Sequence, residues 1–202
     1  ATGSNPLRRV RGGHRLFEEL LPKLDLLVAT DIRMSTTALN ADYVLPAAAS
    51  YEKTDVNDWY TPLAPFAHVT TAAVAPPGEA KPEWEIVVLL ARKIEERAQA
   101  RGLTSYLCAG KRRRTGDLVR RMTFRGKFGA KDHENVARAV IDASTHVGKP
   151  DWEEFKRKGF ARFTGLGTHP GNRSNASDMH VDETFTPHTW RTQKKMPWPT
   201  LT

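Results

Sequence analysis

A short continuous apolar run, Leu24-Asp25-Leu26-Leu27-Val28-Ala29, stops at the polar pair Thr30-Asp31, and a second run, Tyr43-Val44-Leu45, closes on Pro46. Apolar runs without alternation are the mark of strands covered on both faces, as in parallel sheets. Upstream, Leu16, Phe17, Leu20 and Leu21 fall at i, i+1, i+4 and i+5, an apolar helical face stopped near Pro22. Between the two runs, Thr36-Thr37-Ala38-Leu39-Asn40 is predicted to make a helical turn. Helix, strand, polar strand end, helix, strand is the grammar of an α/β fold built on a parallel sheet.

The rest of the chain is less regular. Residues 54–80 hold four prolines and little periodicity, and read as an irregular excursion. A strong helix is predicted from Pro82 to Gln99, with Trp84, Val87, Val88, Ala91, Ile94 and Ala98 as its apolar positions. Shorter helices are expected at Glu134–Ser144, with Val136, Val140, Ile141 and Ser144 on one face, and at Asp151–Lys158. From Gly159 to Thr202 loop chemistry prevails.

The formal net charge of +8 is local. Residues 111–131 hold nine basic side chains against one acid, Asp117, so the remainder is balanced. The segment reads as a basic loop. The single cysteine, Cys108, excludes an internal disulfide framework and a self-contained iron–sulfur or thiolate zinc site, and is expected to be a small packed side chain. The histidines at 14, 68, 133, 146, 169, 180 and 188 show no metal-ligand spacing. No apolar run approaches the roughly 20 residues that span a bilayer. The chain opens without Met, a basic leader or an apolar signal core, and both its ends are expected to be internal to a longer protein.

Ligands of parallel α/β sheets bind at the carboxyl ends of the strands. Two places qualify. Gly3-Ser4-Asn5-Pro6 is a small-residue turn that lets a ligand approach backbone, and Asp31 follows the buried strand, where a carboxylate can accept paired hydrogen bonds from an amidine-like edge such as guanine. Asp42 has a structural alternative to ligand contact: capping or locking the turn before the second strand. Glu83 likewise suits the first turn of a helix by its charge alone.

The phrase from Leu27 through Thr30-Asp31-Ile32-Arg33-Met34-Ser35-Thr36-Thr37 and Ala41-Asp42-Tyr43-Val44-Leu45-Pro46 to Tyr51-Glu52-Lys53 closely resembles the third-domain signature of the molybdopterin oxidoreductases, the dimethyl sulfoxide reductase family. The Arg-Met-Ser-Thr-Thr form, Tyr51-Glu52-Lys53 and Gly78-Glu79-Ala80-Lys81-Pro82-Glu83-Trp84-Glu85 are similar to its nitrate reductase branch. That branch includes dimethyl sulfide, ethylbenzene and steroid C25 dehydrogenases and selenate, chlorate and perchlorate reductases. Trp198-Pro199-Thr200-Leu201-Thr202 resembles the lead into the family's C-terminal β-barrel. The resemblance implies part of a Rossmann-like domain at residues 1–101, a basic linker with short helices at 102–158, and an irregular segment at 159–202 leading toward a β-barrel domain outside this chain. It implies a catalytic-subunit fragment whose cofactor is bis(molybdopterin guanine dinucleotide)-molybdenum, with a [4Fe-4S] cluster in an N-terminal part not included here. Ser4, Asn5, Thr30, Asp31, Lys53 and Glu83 would lie at or near one guanine dinucleotide, Asp31 pairing with guanine and Lys53 neutralising pyrophosphate. No catalytic residue and no metal ligand is expected within the chain.

The implied activity is oxygen-atom transfer or hydroxylation at molybdenum, without catalysis by the fragment alone. The implied partners are the rest of the catalytic subunit, an iron–sulfur electron-transfer subunit and, as a further possibility, a haem b subunit, with a small molecule as substrate. The expected location is periplasmic, with a membrane-associated cytoplasmic one as the alternative. A reading from a different class is a nucleic-acid-binding module built on residues 111–131, where Phe124 and Phe128 interleave with the cations.

Overall fold

The computed structural model describes residues 5–57, 66–144, 147 and 149–162. In chain order these form α1 (Pro6–Arg9), α2 (Gly13–Arg15), β1 (Val28–Asp31), α3 (Thr36–Leu39), β2 (Tyr43–Pro46), β3 (Asp55–Asn57), β4 (Phe66–Thr70), α4 (Glu83–Ala100), β5 (Ser105–Cys108), β6 (Lys111–Arg114), α5 (Leu118–Met122), α6 (His133–Ala143), α7 (Trp152–Lys158) and β7 (Phe160–Arg162). The chain divides into two units, residues 1–54 with 71–136 and residues 55–70 with 137–202. None of the described helices is long and apolar enough to cross a membrane.

The first unit is mixed helix and strand around a small parallel sheet. β1 and β2 pair in parallel with Val28 opposite Tyr43 and Asp31 opposite Pro46, and α3 is the crossover between them. Beyond the pair, the Ala47 N–H donates to the Asp31 carbonyl at 3.1 Å, the Ala48 N–H to the Lys81 carbonyl at 2.9 Å, and the Lys81 N–H to the Pro46 carbonyl at 3.2 Å. These bonds extend the ladder to the foot of α4. The strand is shorter than its apolar run: Leu24 and Leu26 lie before β1 and are exposed, because no second layer covers them among the described residues. Helical winding begins upstream as expected, but passes from α2 into a π turn at Leu16–Leu20 and a 3-10 turn at Leu21–Lys23 around Pro22. Asp42 does lock a turn, its Oδ2 accepting the Leu27 N–H at 2.7 Å.

The core of this unit is made of small side chains. Ala29, Ala38, Ala47, Ala48, Ile86, Val88 and Ala91 are buried, so backbones approach closely. α2 meets α1 at Gly13, where a Cβ would lie 2.1 Å from the Leu7 carbonyl oxygen and 2.8 Å from its carbon. Gly13→Ala is therefore expected to force α1 away, at a cost of about 2–3 kcal/mol. Thermal denaturation should record that loss, and hydrogen exchange at Thr37, which is anchored to α1, should rise.

α4 spans Glu83–Ala100, close to its predicted limits, but turns a different stripe inward. Ile86, Val88 and Ala91 are buried while Val87 and Ile94 are exposed. Val87, Val88, Leu89 and Leu90 are consecutive, so more than one face is apolar and period alone could not choose. Packing with the segment after α4 chooses: the Trp84 indole N–H donates to the Gly129 carbonyl at 2.7 Å, and a Glu95 carboxylate oxygen accepts the Val119 N–H at 2.9 Å.

The basic segment is not a loop at its start. β5 and β6 form an antiparallel hairpin, Ser105 opposite Arg114 and Cys108 opposite Lys111, closed by Ala109 at φ 49° and Gly110 at φ 72°. Two left-handed residues give the turn whose twist suits a two-residue hairpin. β5 reads Ser-Tyr-Leu-Cys and β6 Lys-Arg-Arg-Arg, so the cationic strand has no apolar alternation that could be read from sequence. Cys108 sits exposed at the hairpin tip, against the expectation of a packed thiol, because the tip has no neighbour to cover it among the described residues.

The second unit replaces the expected irregular excursion with a three-stranded antiparallel sheet in the order β3-β4-β7. Val56 faces Val69 in one pairing and Ala67 faces Ala161 in the other. Ala67 and Val69 point into the core and His68 out, the alternation of a half-covered sheet. Against them pack Ala137 and Ile141 of α6, Val147, and Trp152 and Phe155 of α7. Asp151 caps α7, its Oδ1 accepting the Glu154 N–H at 2.9 Å. Glu154 is held below the usual carboxylate range by a hydrogen bond from, and the charge of, Lys158 one turn on.

Candidate functional site

At the carboxyl end of β1, within the first unit, lies a cleft of about 280 Å³. Asn5, Arg9, Asp31, Ile32, Arg33, Ser35, Ala47, Ala48, Ala49, Ser50, Lys53 and Glu83 line it. Four of the six residues singled out from sequence, Asn5, Asp31, Lys53 and Glu83, meet there from four separate stretches of chain. Thr30 is buried in β1 and does not line the cleft. Ser4 lies outside the described residues.

Local structure explains each position. Asn5 precedes α1, and its Oδ1 accepts both the Thr37 hydroxyl at 2.8 Å and the Thr37 N–H at 3.2 Å. It therefore fastens α1 to the first turn of α3. Ser35 caps the same turn, accepting the Ala38 N–H at 3.3 Å. Two of α3's early N–H groups are thus already used, so anion recognition here falls to side chains. Asp31 ends β1, and its Oδ1 accepts the Ile32 N–H at 2.8 Å. Its other carboxylate oxygen has no hydrogen-bond partner among the described residues.

Across the cleft, the Ala49 N–H donates to Glu52 at 2.8 Å, closing the turn that delivers Lys53. The Lys53 ammonium pairs with the carboxylate of Glu83, the first residue of α4; the lysine side chain is 10% exposed and the glutamate 35%. Glu83 sits in the first turn of α4, where its charge suits the helix dipole, and it also borders the cleft. The Lys53 charge is therefore engaged within the wall. Sequence reasoning passed over Arg9 and Arg33, the two exposed guanidinium groups on the cleft rim. The signal was available for Arg33, which stands two residues beyond Asp31 in the same strand-end loop. Arg9 carried none, because its approach depends on the Asn5–Thr37 anchor.

The cleft has the chemistry for a polar, anionic, planar ligand: a carboxylate acceptor, cations beside it, and Ala47-Ala48-Ala49 offering close approach to backbone. Its volume is near the lower limit of about 300–1,000 Å³ for small-molecule pockets. Among the described residues, no group of three or more His, Cys, Asp or Glu could hold a metal ion. His14 is exposed.

The nine cations of residues 111–131 carry no ion pair among the described residues. The aromatics interleaved with them touch one another and α4: Phe124 lies 6.1 Å from Trp84 and edge-on to Phe128 at 5.6 Å. Phe128 is buried, whereas Phe124 keeps an exposed face beside the cations.

The family described as molybdopterin oxidoreductase matches residues 1–93. Over 204 residues the chain is 31% identical to the chlorate reductase subunit alpha of Ideonella dechloratans, covering 99% of this chain and 21% of that protein. It is 32% identical over 200 residues to the perchlorate reductase subunit alpha of Dechloromonas aromatica, with 98% and 20% covered. Over 103 residues it is 44% identical to the dimethylsulfide dehydrogenase subunit alpha of Rhodovulum sulfidophilum, covering 50% of this chain and 11% of that one. The chain thus spans about a fifth of the length of the first two relatives. Among solved structures, acetylene hydratase from Pelobacter acetylenicus aligns over 74% of this chain and 16% of its own, at 25% identity and a TM-score of 0.42.

Proposed function

Residues 1–93 belong to the molybdopterin oxidoreductase family, and from that premise we propose that the chain is part of the catalytic subunit of a molybdenum-dependent oxidoreductase, forming one wall of a molybdopterin guanine dinucleotide site. The observation that carries the reading is the convergence of Asn5, Asp31, Lys53 and Glu83 on one cleft at the end of a parallel strand. The donor set fits the group. The free oxygen of Asp31 suits a guanine N1–H and N2–H edge, and the small residues at 47–49 leave room for a flat base. When bound, the molybdenum–pterin group supplies oxygen-atom transfer with two-electron redox chemistry. This chain's part is binding and orientation: Asn5 fixes α1 beside the cleft, Asp31 reads the base, and the Lys53–Glu83 pair braces the opposite wall.

The remaining pieces follow from the same reading. The rest of the catalytic subunit would supply the molybdenum ligand, the second dinucleotide site and a [4Fe-4S] cluster. The relatives named above are alpha subunits, which supports partner subunits for electron transfer. A periplasmic location rests on the branch resemblance alone. The test is metal and nucleotide analysis of the full-length protein. About one molybdenum and about two guanine nucleotides per polypeptide are expected for the bis form. A well-folded full-length protein without molybdenum would sink the reading.

A further inference from the structure

We propose that Arg9 and Arg33, rather than Lys53, are the residues that neutralise the dinucleotide's pyrophosphate; the inference rests on the dinucleotide reading above and assigns its charge chemistry. The cleft holds three cations and two carboxylates: Arg9, Arg33 and Lys53 against Asp31 and Glu83. Lys53 is buried and its ammonium is paired with Glu83. Turning it toward a phosphate would leave the Glu83 carboxylate, itself about two-thirds covered, without its counter-charge. Arg9 and Arg33 are exposed and have no ion pair among the described residues.

Their chemistry suits the ligand. A pyrophosphate diester carries one negative charge on each phosphoryl group, and a guanidinium binds phosphate oxygens through two parallel N–H donors, which an ammonium cannot do. The two arginines reach the cleft from different elements, Arg9 from the last turn of α1 and Arg33 from the loop after β1. Asn5 holds these elements together through its bonds to α3. With Asp31 next to Arg33, a base acceptor and a phosphate donor stand on the same strand-end loop, as a contiguous nucleotide requires. Lys53 and Glu83 then act as a neutral structural pair in the wall.

The experiment uses the full-length protein and reads guanine nucleotide released by acid per polypeptide, with molybdenum measured alongside. In R9Q/R33Q, bound nucleotide should fall at least about tenfold relative to wild type. In R9K/R33K, which keeps the charge and loses the fork, retention should be intermediate and fall further after dialysis at high salt. In K53Q/E83Q, which keeps a neutral hydrogen-bonding pair in the cleft wall, bound nucleotide should fall less than in R9Q/R33Q. A fully loaded R9Q/R33Q, or an R9K/R33K indistinguishable from wild type at all salt concentrations, overturns this inference alone. So does loss of nucleotide confined to K53Q/E83Q. If R9Q/R33Q fails to fold, the two other variants still decide the matter. A wild-type protein with molybdenum but no guanine nucleotide overturns the dinucleotide reading, and this inference with it.

Discussion

In full-length Asp31→Ala protein, guanine nucleotide bound per polypeptide should drop by at least about tenfold, while the fold is retained. The argument starts from the carboxylate's geometry. One oxygen of Asp31 accepts the Ile32 N–H at 2.8 Å, and the other has no hydrogen-bond partner among the described residues, on a side chain that lines the cleft. A hydrogen bond to a charged acceptor contributes about 1.5–3 kcal/mol, and about 1.4 kcal/mol is a factor of ten in affinity. Losing one such bond already accounts for the tenfold, and losing a bidentate pair exceeds it. Asp31→Asn should do nearly as badly, since its amide presents a donor where guanine also presents donors. The cost to folding should be small, about 1 kcal/mol, because the Ile32 bond is local and exposed to water. Acid release of nucleotide together with a thermal melt measures both quantities. Wild-type nucleotide content in Asp31→Ala would remove Asp31 from the site.

The largest effect on stability is expected in the second unit. Phe155 is 1% exposed and is among the largest fully buried side chains described. It sits in T-shaped contact with Trp152, ring centroids 5.9 Å apart, among Ala67, Val69, Ala137 and Ile141. Phe155→Ala removes a ring that holds helix to sheet and should cost about 3–5 kcal/mol. In the full-length protein this is read by hydrogen exchange on β4 and α6. Protection there should fall by roughly two to three orders of magnitude at about 1.4 kcal/mol per tenfold. Unchanged protection would mean that Phe155 does not hold that layer together. Nucleotide retention is expected to be unaffected, since the cleft is lined wholly by first-unit residues.

Much of the cleft at the end of β1 could be read in advance, because several of its residues belong to short-range structure. Asp31 is written by the end of an apolar run and Glu83 by the proline that opens a helix, and Asp42, outside the cleft, by the turn before β2. Each is decided by backbone geometry within a few residues. The second unit could not be read this way. β3 and β4 are strands of three and five residues in proline-rich surroundings, and β7 reaches them from about ninety positions away. Their hydrogen bonds exist only once distant segments meet, so no local period announces them. The same reason hid the hairpin of β5 and β6, whose cationic strand has no apolar alternation to show.

What the sequence determined by itself is therefore the strand-end carboxylate, the crossover around α3 and the helix beginning at Glu83, together with the family that such a phrase denotes. The tertiary structure decided which charges are available to a ligand. Thr30 and Asp31 are neighbours in sequence, yet only Asp31 lines the cleft, because adjacent strand residues point to opposite sides. Lys53 and Glu83 are thirty positions apart and neutralise each other. Arg9 comes to the rim because Asn5 ties α1 to Thr37. A charge's partner is set by distance in space, and in this chain those distances are set by packing among small side chains.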